Sequence, residues 1–216
     1  MSDCAPLQTS ELARSVAGRS SLHRIVRGHS SVTLCNESCE DVSWESCDCI
    51  ITDPPYPDIE KGFDQHPIDW LANLKCRQLI FWSAVCPFPL DWSAVHIWHK
   101  PNGCSSQHYE RIFERNGGKV CRVFRVPCVN SVVAAQMGRD EYQDHPCQKP
   151  VKLIGDLINR MTKPGQLVGD PYSGSGTTAH ACLNLGRNFV GAEKDPKHFA
   201  TAVARLEREA NQGVLL

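Results

Sequence analysis

Short β-type apolar runs alternate with amphipathic helical stretches along this chain. The alternation predicts an α/β fold, a doubly wound, mostly parallel sheet with helices on both faces. The strand candidates are Arg24-Ile25-Val26, Val32-Thr33-Leu34, Cys49-Ile50-Ile51-Thr52, Leu79-Ile80-Phe81-Trp82, Ala94-Val95-His96-Ile97-Trp98 and Cys121 to Val126, followed by Gln166 to Gly169 and Asn188 to Gly191. Each is short and bounded by Gly, Pro, Asn or Asp, as buried strands are. The helix candidates lie in the second half. Pro150 to Met161 places Val151, Ile154, Leu157, Ile158 and Met161 near one stripe, with the proline suited to a first turn. Thr177 to Leu185 is small and apolar and stops at Gly186. Pro196 to Ala210 sets Phe199, Ala202, Val203 and Leu206 on one face.

With 216 residues, 41% hydrophobic and 22% charged, the chain has the size and composition of one ordinary globular domain. No stretch approaches the roughly 20 apolar residues of a membrane span. Met1 to Ser21 lacks the basic start and apolar run of a secretory signal, so a cytoplasmic protein is expected. Residues 1–21 read as a polar leader, possibly disordered, and 22–216 as a single domain. The twelve cysteines are scattered, and thiols inside apolar runs, such as Cys182, read as small core residues. In the tight group Cys35, Cys39, Cys47 and Cys49 the first pair has zinc-ligand spacing and the second does not, so no metal site is expected. Trp82, Trp92 and Trp98 fall in or near strand runs and read as core.

Net charge is −1, but its distribution is uneven. Glu40 to Asp69 holds nine acidic residues and one lysine. Lys100 to Arg139 holds seven basic residues against Glu110 and Glu114. The second segment is a candidate nucleic-acid face, because phosphates draw positive charge. Residues 100–144 are therefore the candidate recognition insert, with Lys100, Asn102, Arg111, Arg115, Arg122 and Arg125 as candidate contacts.

Two motifs carry chemistry. In Cys49 to Tyr56 an apolar strand runs into Asp53-Pro54-Pro55-Tyr56. Ligands in open α/β sheets lie outside the carboxyl ends of strands. Two prolines there fix the backbone and remove two donors. What remains is a stiff turn of acceptors, the Asp53 carboxylate and the Pro54 carbonyl, beside an aromatic plate. That suits a planar base bearing an amino group. The second motif is Asp170-Pro171-Tyr172-Ser173-Gly174-Ser175-Gly176-Thr177-Thr178, a strand, a glycine turn and a helix start. Its glycines allow close ligand approach, and the helix start offers free amides. Glu193 ends the next strand, 23 residues after Asp170, a spacing that suits ribose hydroxyls.

Together these motifs resemble the DNA amino-methyltransferases, the adenine-N6 and cytosine-N4 methylases. That family's catalytic turn reads Asp/Asn/Ser-Pro-Pro-Tyr, and its cofactor loop reads Asp-Pro-Phe-x-Gly-Ser-Gly-Thr-Thr. The order here, catalytic turn first, resembles the circularly permuted β group. His145-Pro146-Cys147-Gln148-Lys149-Pro150 resembles that group's His-Pro-Thr-Gln-Lys-Pro. The small size is similar to phage or prophage members.

The resemblance implies a Rossmann-like fold that binds S-adenosylmethionine, with double-stranded DNA as partner and a homodimer as one possible assembly. Asp53, Pro54, Pro55 and Tyr56 would be catalytic. Asp170, Pro171, Tyr172, Gly174, Ser175, Gly176, Thr177, Thr178 and Glu193 would hold the cofactor, and Lys149 its methionine carboxylate. Adenine N6 is the expected target, since cytosine-N4 enzymes often carry Ser where Asp53 stands. A non-catalytic nucleic-acid-binding relative is the alternative of another class. Tyr172 replaces Phe and Cys147 replaces Thr. At Val26-Arg27-Gly28-His29, similar proteins read Gly-Asp, with the acid near the cofactor's adenine, and His29 offers no carboxylate.

Overall fold

The structure is a computed structural model that describes residues 22–55, 68–101, 108–128 and 148–211. Nine strands form one sheet: β1 (Leu22–Arg27), β2 (Ser30–Cys35), β3 (Cys49–Thr52), β4 (Arg77–Trp82), β5 (Ala94–His99), β6 (Tyr109–Arg115), β7 (Val123–Arg125), β8 (Leu167–Asp170) and β9 (Asn188–Ala192). Their spatial order is β1-β2-β9-β8-β3-β4-β6-β5-β7. From β2 through β4 every neighbouring pair is parallel. β1 pairs antiparallel with β2, and β6 runs antiparallel between β4 and β5. This is the doubly wound α/β arrangement that the strand–helix alternation predicts.

The short central strands are buried on both sides, as parallel strands must be. In β3, Cys49 and Ile51 face one core, while Ile50 faces the other. The first core is closed by α1 (Val151–Met161), α2 (Thr177–Asn184) and α3 (Pro196–Asn211). α1 buries Leu153, Ile154, Leu157 and Ile158 and exposes its polar side, with Pro150 as its N-cap. α2 is buried through seven of its eight residues, which its small side chains permit. The second core is closed by Val42, Trp44, Ile68, Leu71 and Leu74, carried by loops and two 3-10 turns, Cys39–Asp41 and Asp69–Asn73. Helices were expected on both faces, but among the described residues the α-helices share one. Cys35, Cys47 and Cys49 are free thiols buried in strands or beside them, and burial pushes their pKa values up.

Two expectations about the chain's middle are corrected. Residues 109–125 are not an insert: β6 and β7 belong to the sheet, and β6 is an interior strand. The sequence hid β6 because it carries Glu110, Arg111, Glu114 and Arg115, charges that an interior strand accepts only when each is paired. Glu114 accepts from Arg77, His96 and the Gly118 amide. Trp82 and Trp98 are buried, but Trp92 is 54% exposed and meets Phe113 edge-on. The leader and residues 129–147 lie outside the described residues.

Candidate active site

β3 and β8 are adjacent, yet the chain leaves them in opposite directions, β3 toward β4 and β8 through α2 toward β9. Such a switch point opens a crevice at the carboxyl ends of the strands. A cavity of about 380 Å³ lies there, within the usual size range of small-ligand sites. Asp53 and Pro55, following β3, line it together with Pro171, Tyr172, Gly174 and Ser175, following β8. Two loops separated by more than a hundred residues of chain thus share one cavity.

The crevice is fastened from below by Asp170. Its Oδ1 accepts from Thr52 Oγ1 at 2.9 Å and from the Tyr172 amide at 3.2 Å, and its Oδ2 accepts from Thr178 Oγ1 at 2.7 Å. Burial pushes this carboxyl up to about 6, against the hydrogen bonds that favour its charge. The Ser173 hydroxyl donates to the Asp170 carbonyl at 2.9 Å and closes the turn.

The loop then needs two left-handed residues, Gly174 (φ 50°) and Gly176 (φ 75°), a region that side chains disfavour. The two differ in surroundings. Gly174 lines the cavity, and a Cβ added there would meet nothing within 4 Å. A Cβ on Gly176 would sit 3.0 Å from the Ala202 Cβ. Gly176 thus serves the packing of α3 and the start of α2, and it is not among the residues that line the cavity. Thr177 and Thr178 line the cavity floor.

Glu193 follows β9 and reaches the same cavity. One carboxylate oxygen accepts from the Gly174 amide at 2.9 Å and the other from the Asp195 amide at 2.8 Å. The third wall comes from the segment before α1. Lys149 is buried and pairs with the Asp53 carboxylate, and its Nζ lies 3.3 Å from Glu110 Oε2 and 5.1 Å from the centre of the Phe81 ring. Burial opposes its charge, but the two carboxylates outweigh burial and raise its pKa. Glu110 in turn is met by Lys100, whose Nζ bonds its Oε1 at 2.5 Å. Coulombic attraction to the two lysines overcomes burial and lowers the Glu110 pKa.

Several expected site residues stand elsewhere. Tyr56 and Asn102 lie outside the described residues. Pro54 is buried and does not line the cavity. Arg115 is 3% exposed and donates to the Asp91 carbonyl and carboxylate, the Leu71 carbonyl and Gln78, so it holds the fold and offers nothing to a phosphate. Arg111 donates to the Ser83 and Cys86 carbonyls and lies over Phe113. Lys100 is turned inward to Glu110. Of the six basic-segment candidates, Arg122 and Arg125 are exposed. His29 sits in the exposed two-residue turn between β1 and β2. The end of β2 that reaches the cavity supplies Glu37, Ser38 and Cys39 instead, so a carboxylate does stand near the expected place.

Sequence reasoning also passed over Gln148 as a site residue. It lines the cavity, is 7% exposed, and accepts from Ser175 Oγ at 3.3 Å, while its Nε2 has no hydrogen-bond partner among the described residues. The one available signal was its place beside Lys149 in the third motif.

Comparison with known proteins supplies the family. Residues 75–204 match the N6/N4 methyltransferase model, described as DNA methylase. The type II methyltransferase M2.DpnII of Streptococcus pneumoniae is 32% identical over 116 residues, covering 52% of this chain and 41% of that protein. The DNA adenine methyltransferase YhdJ of Escherichia coli K12 is 38% identical over 68 residues, covering 32% of this chain and 23% of that protein. The chain thus spans less than half the length of either relative. Among solved structures, an M1.HpyAVI–SAM complex is similar with a TM-score of 0.54 at 26% identity, over 74% of this chain and 89% of that one. The cytosine-N4-specific PvuII DNA methyltransferase shares the fold, with a TM-score of 0.54 at 14% identity, over 84% of this chain and 92% of that one.

Proposed function

The chain belongs to the N6/N4 DNA methylase family, and from that premise we propose that it transfers a methyl group from S-adenosylmethionine to adenine N6 in double-stranded DNA, as a cytoplasmic enzyme. One observation carries the reading: the Asp53-Pro54-Pro55 turn and the glycine loop of Gly174 meet in a single cavity at the sheet's switch point. Neither loop alone could present an amino group to a methyl donor.

The wall residues fit this cofactor. The unpartnered Gln148 Nε2 is a buried donor, a costly state that an acceptor such as the methionine carboxylate relieves. Gly174 leaves backbone room for the chain of the methionine. Pro171, Tyr172, Ser175, Thr177 and Thr178 border that space. Glu193, already fixed by two amides, retains acceptor capacity for ribose hydroxyls. When bound, S-adenosylmethionine supplies a methyl group on a positively charged sulfur.

The Asp53 carboxylate accepts hydrogen bonds from the target amine and aims its lone pair. Tyr56 stacks on the base once it leaves the duplex, a step that costs a few kcal/mol and that aromatic stacking offsets by about 1–3 kcal/mol. The Asp53 carboxylate then holds the proton that the amine sheds on becoming N-methylated. No residue of the chain need attack the methyl carbon, so the protein's contribution is alignment and electrostatics. Asp at position 53 supports adenine over cytosine N4.

The test is to incubate the protein with unmethylated double-stranded DNA and labelled S-adenosylmethionine, then identify the modified nucleoside by mass spectrometry. N6-methyladenine, abolished in Asp53→Ala, is expected. N4-methylcytosine would move the target to cytosine. A wild-type protein that binds DNA and transfers nothing would establish the non-catalytic alternative.

A further inference from the structure

Lys149 is not free to receive a third anion. Two carboxylates already hold it, Asp53 from the turn after β3 and Glu110 from β6, and Phe81 covers it. Its neighbour Gln148 faces the same cavity with a donor left over. We propose that Lys149, held in place by Glu110, is a positioning residue for Asp53, keeping its carboxylate aimed, and that it does not bind the cofactor's carboxylate.

This rests on the methyltransferase reading above and assigns Glu110, a residue of an interior strand, a part in it. The arrangement is a charge ladder across the sheet's carboxyl edge. Asp53, Lys149, Glu110 and Lys100 alternate in sign, so each charge is neutralised by the next. Removing Lys149 takes away an ion pair that aims the Asp53 carboxylate. A carboxylate turned from that place meets the target amine less well.

The experiment measures single-turnover methyl transfer to DNA, with the S-adenosylmethionine Kd and thermal stability of each variant. In Lys149→Met the rate is expected to fall about 100-fold, as misplacement of a reacting group does, with Kd unchanged. Lys149→Arg, which keeps the charge, should recover about 10-fold of that loss. Glu110→Gln should lower the rate about 10-fold, with Kd unchanged.

A Kd raised tenfold or more in a folded Lys149→Met would overturn the proposal and make Lys149 a cofactor ligand. If Lys149→Met does not fold, Lys149→Arg and Glu110→Gln decide. A lowered rate at unchanged Kd supports the proposal, and wild-type rates in both overturn it. A wild-type enzyme with no methyl transfer would instead sink the methyltransferase reading itself, before any variant is compared.

Discussion

Thr52 Oγ1 donates a 2.9 Å hydrogen bond to Asp170 Oδ1, joining the last residue of β3 to the last residue of β8 across 118 positions of sequence. The two strands are neighbours at the switch point, and the bond fixes their ends at one level. Asp53 and the loop carrying Gly174 each start one step further on. The placing of both halves of the candidate site therefore depends on a buried carboxylate that lies beneath them.

Replacing either threonine should cost stability unequally. Thr178 is the partner of Asp170 Oδ2, while Oδ1 keeps the Tyr172 amide when Thr52 is lost. Thr178→Val is expected to cost about 2–3 kcal/mol and Thr52→Val about 1 kcal/mol, since an unsatisfied buried acceptor costs more than a thinned one. Urea denaturation measures both. Equal midpoints in the two variants would argue against this view of Asp170.

Asp170 also makes stability depend on pH. Its carboxyl is raised from 3.8 to about 6 by burial, so the folded chain binds the proton more tightly than the unfolded one. Keeping it ionised in the fold is a penalty, complete above about pH 6 and gone below about pH 4. Asp170→Asn lacks that penalty. The stability of the variant minus that of wild type should fall by about 2–3 kcal/mol between pH 7 and pH 4. The subtraction cancels other carboxylates, and a difference that stays constant with pH would refute the shift.

The two left-handed glycines should separate by experiment. Alanine at either forces a side chain into that region, at a cost of about 1–2 kcal/mol. Gly176→Ala adds crowding against Ala202 and is expected to destabilise the fold more than Gly174→Ala. Gly174→Ala instead intrudes on the cavity and should weaken S-adenosylmethionine binding about 10-fold, whereas Gly176→Ala alters it less. Thermal melting and calorimetric titration read the two effects, and the reverse ranking in both would exchange the roles given to them.

The central strands and the two chemical loops were legible because each is a local signal. Cys49-Ile50-Ile51-Thr52 is an apolar run ending in a proline turn, and Val168 to Thr178 announces a strand, a glycine turn and a helix. β6 was illegible for the opposite reason. Its alternate residues Glu110, Ile112 and Glu114 face one core and Arg111, Phe113 and Arg115 the other, so its charges draw on partners distant in sequence, such as Lys149, Arg77 and Asp91. Read alone, that stretch looks like a solvated basic surface. His29, which offers no carboxylate, stands in the exposed hairpin turn Gly28-His29, and the cavity is reached one strand later, by Glu37.

The same contrast between paired and unpaired arginines yields a test of the DNA face. Arg115 makes four hydrogen bonds inside the protein, two of them to the buried Leu71 carbonyl and Gln78. Arg115→Met strands the Gln78 side-chain oxygen, while the Leu71 carbonyl keeps the Gln78 amide and the Leu74 N–H, and should cost about 2–3 kcal/mol of stability, leaving the salt dependence of DNA binding as it was. Arg122 and Arg125 are exposed, so Arg122→Ala and Arg125→Ala should leave the denaturation midpoint within about 0.5 kcal/mol of wild type. If they meet phosphates, each reduces the slope of log affinity against log salt by about 1. A slope unchanged in the double variant would remove β7 from the DNA face and leave DNA contact to other parts of the chain.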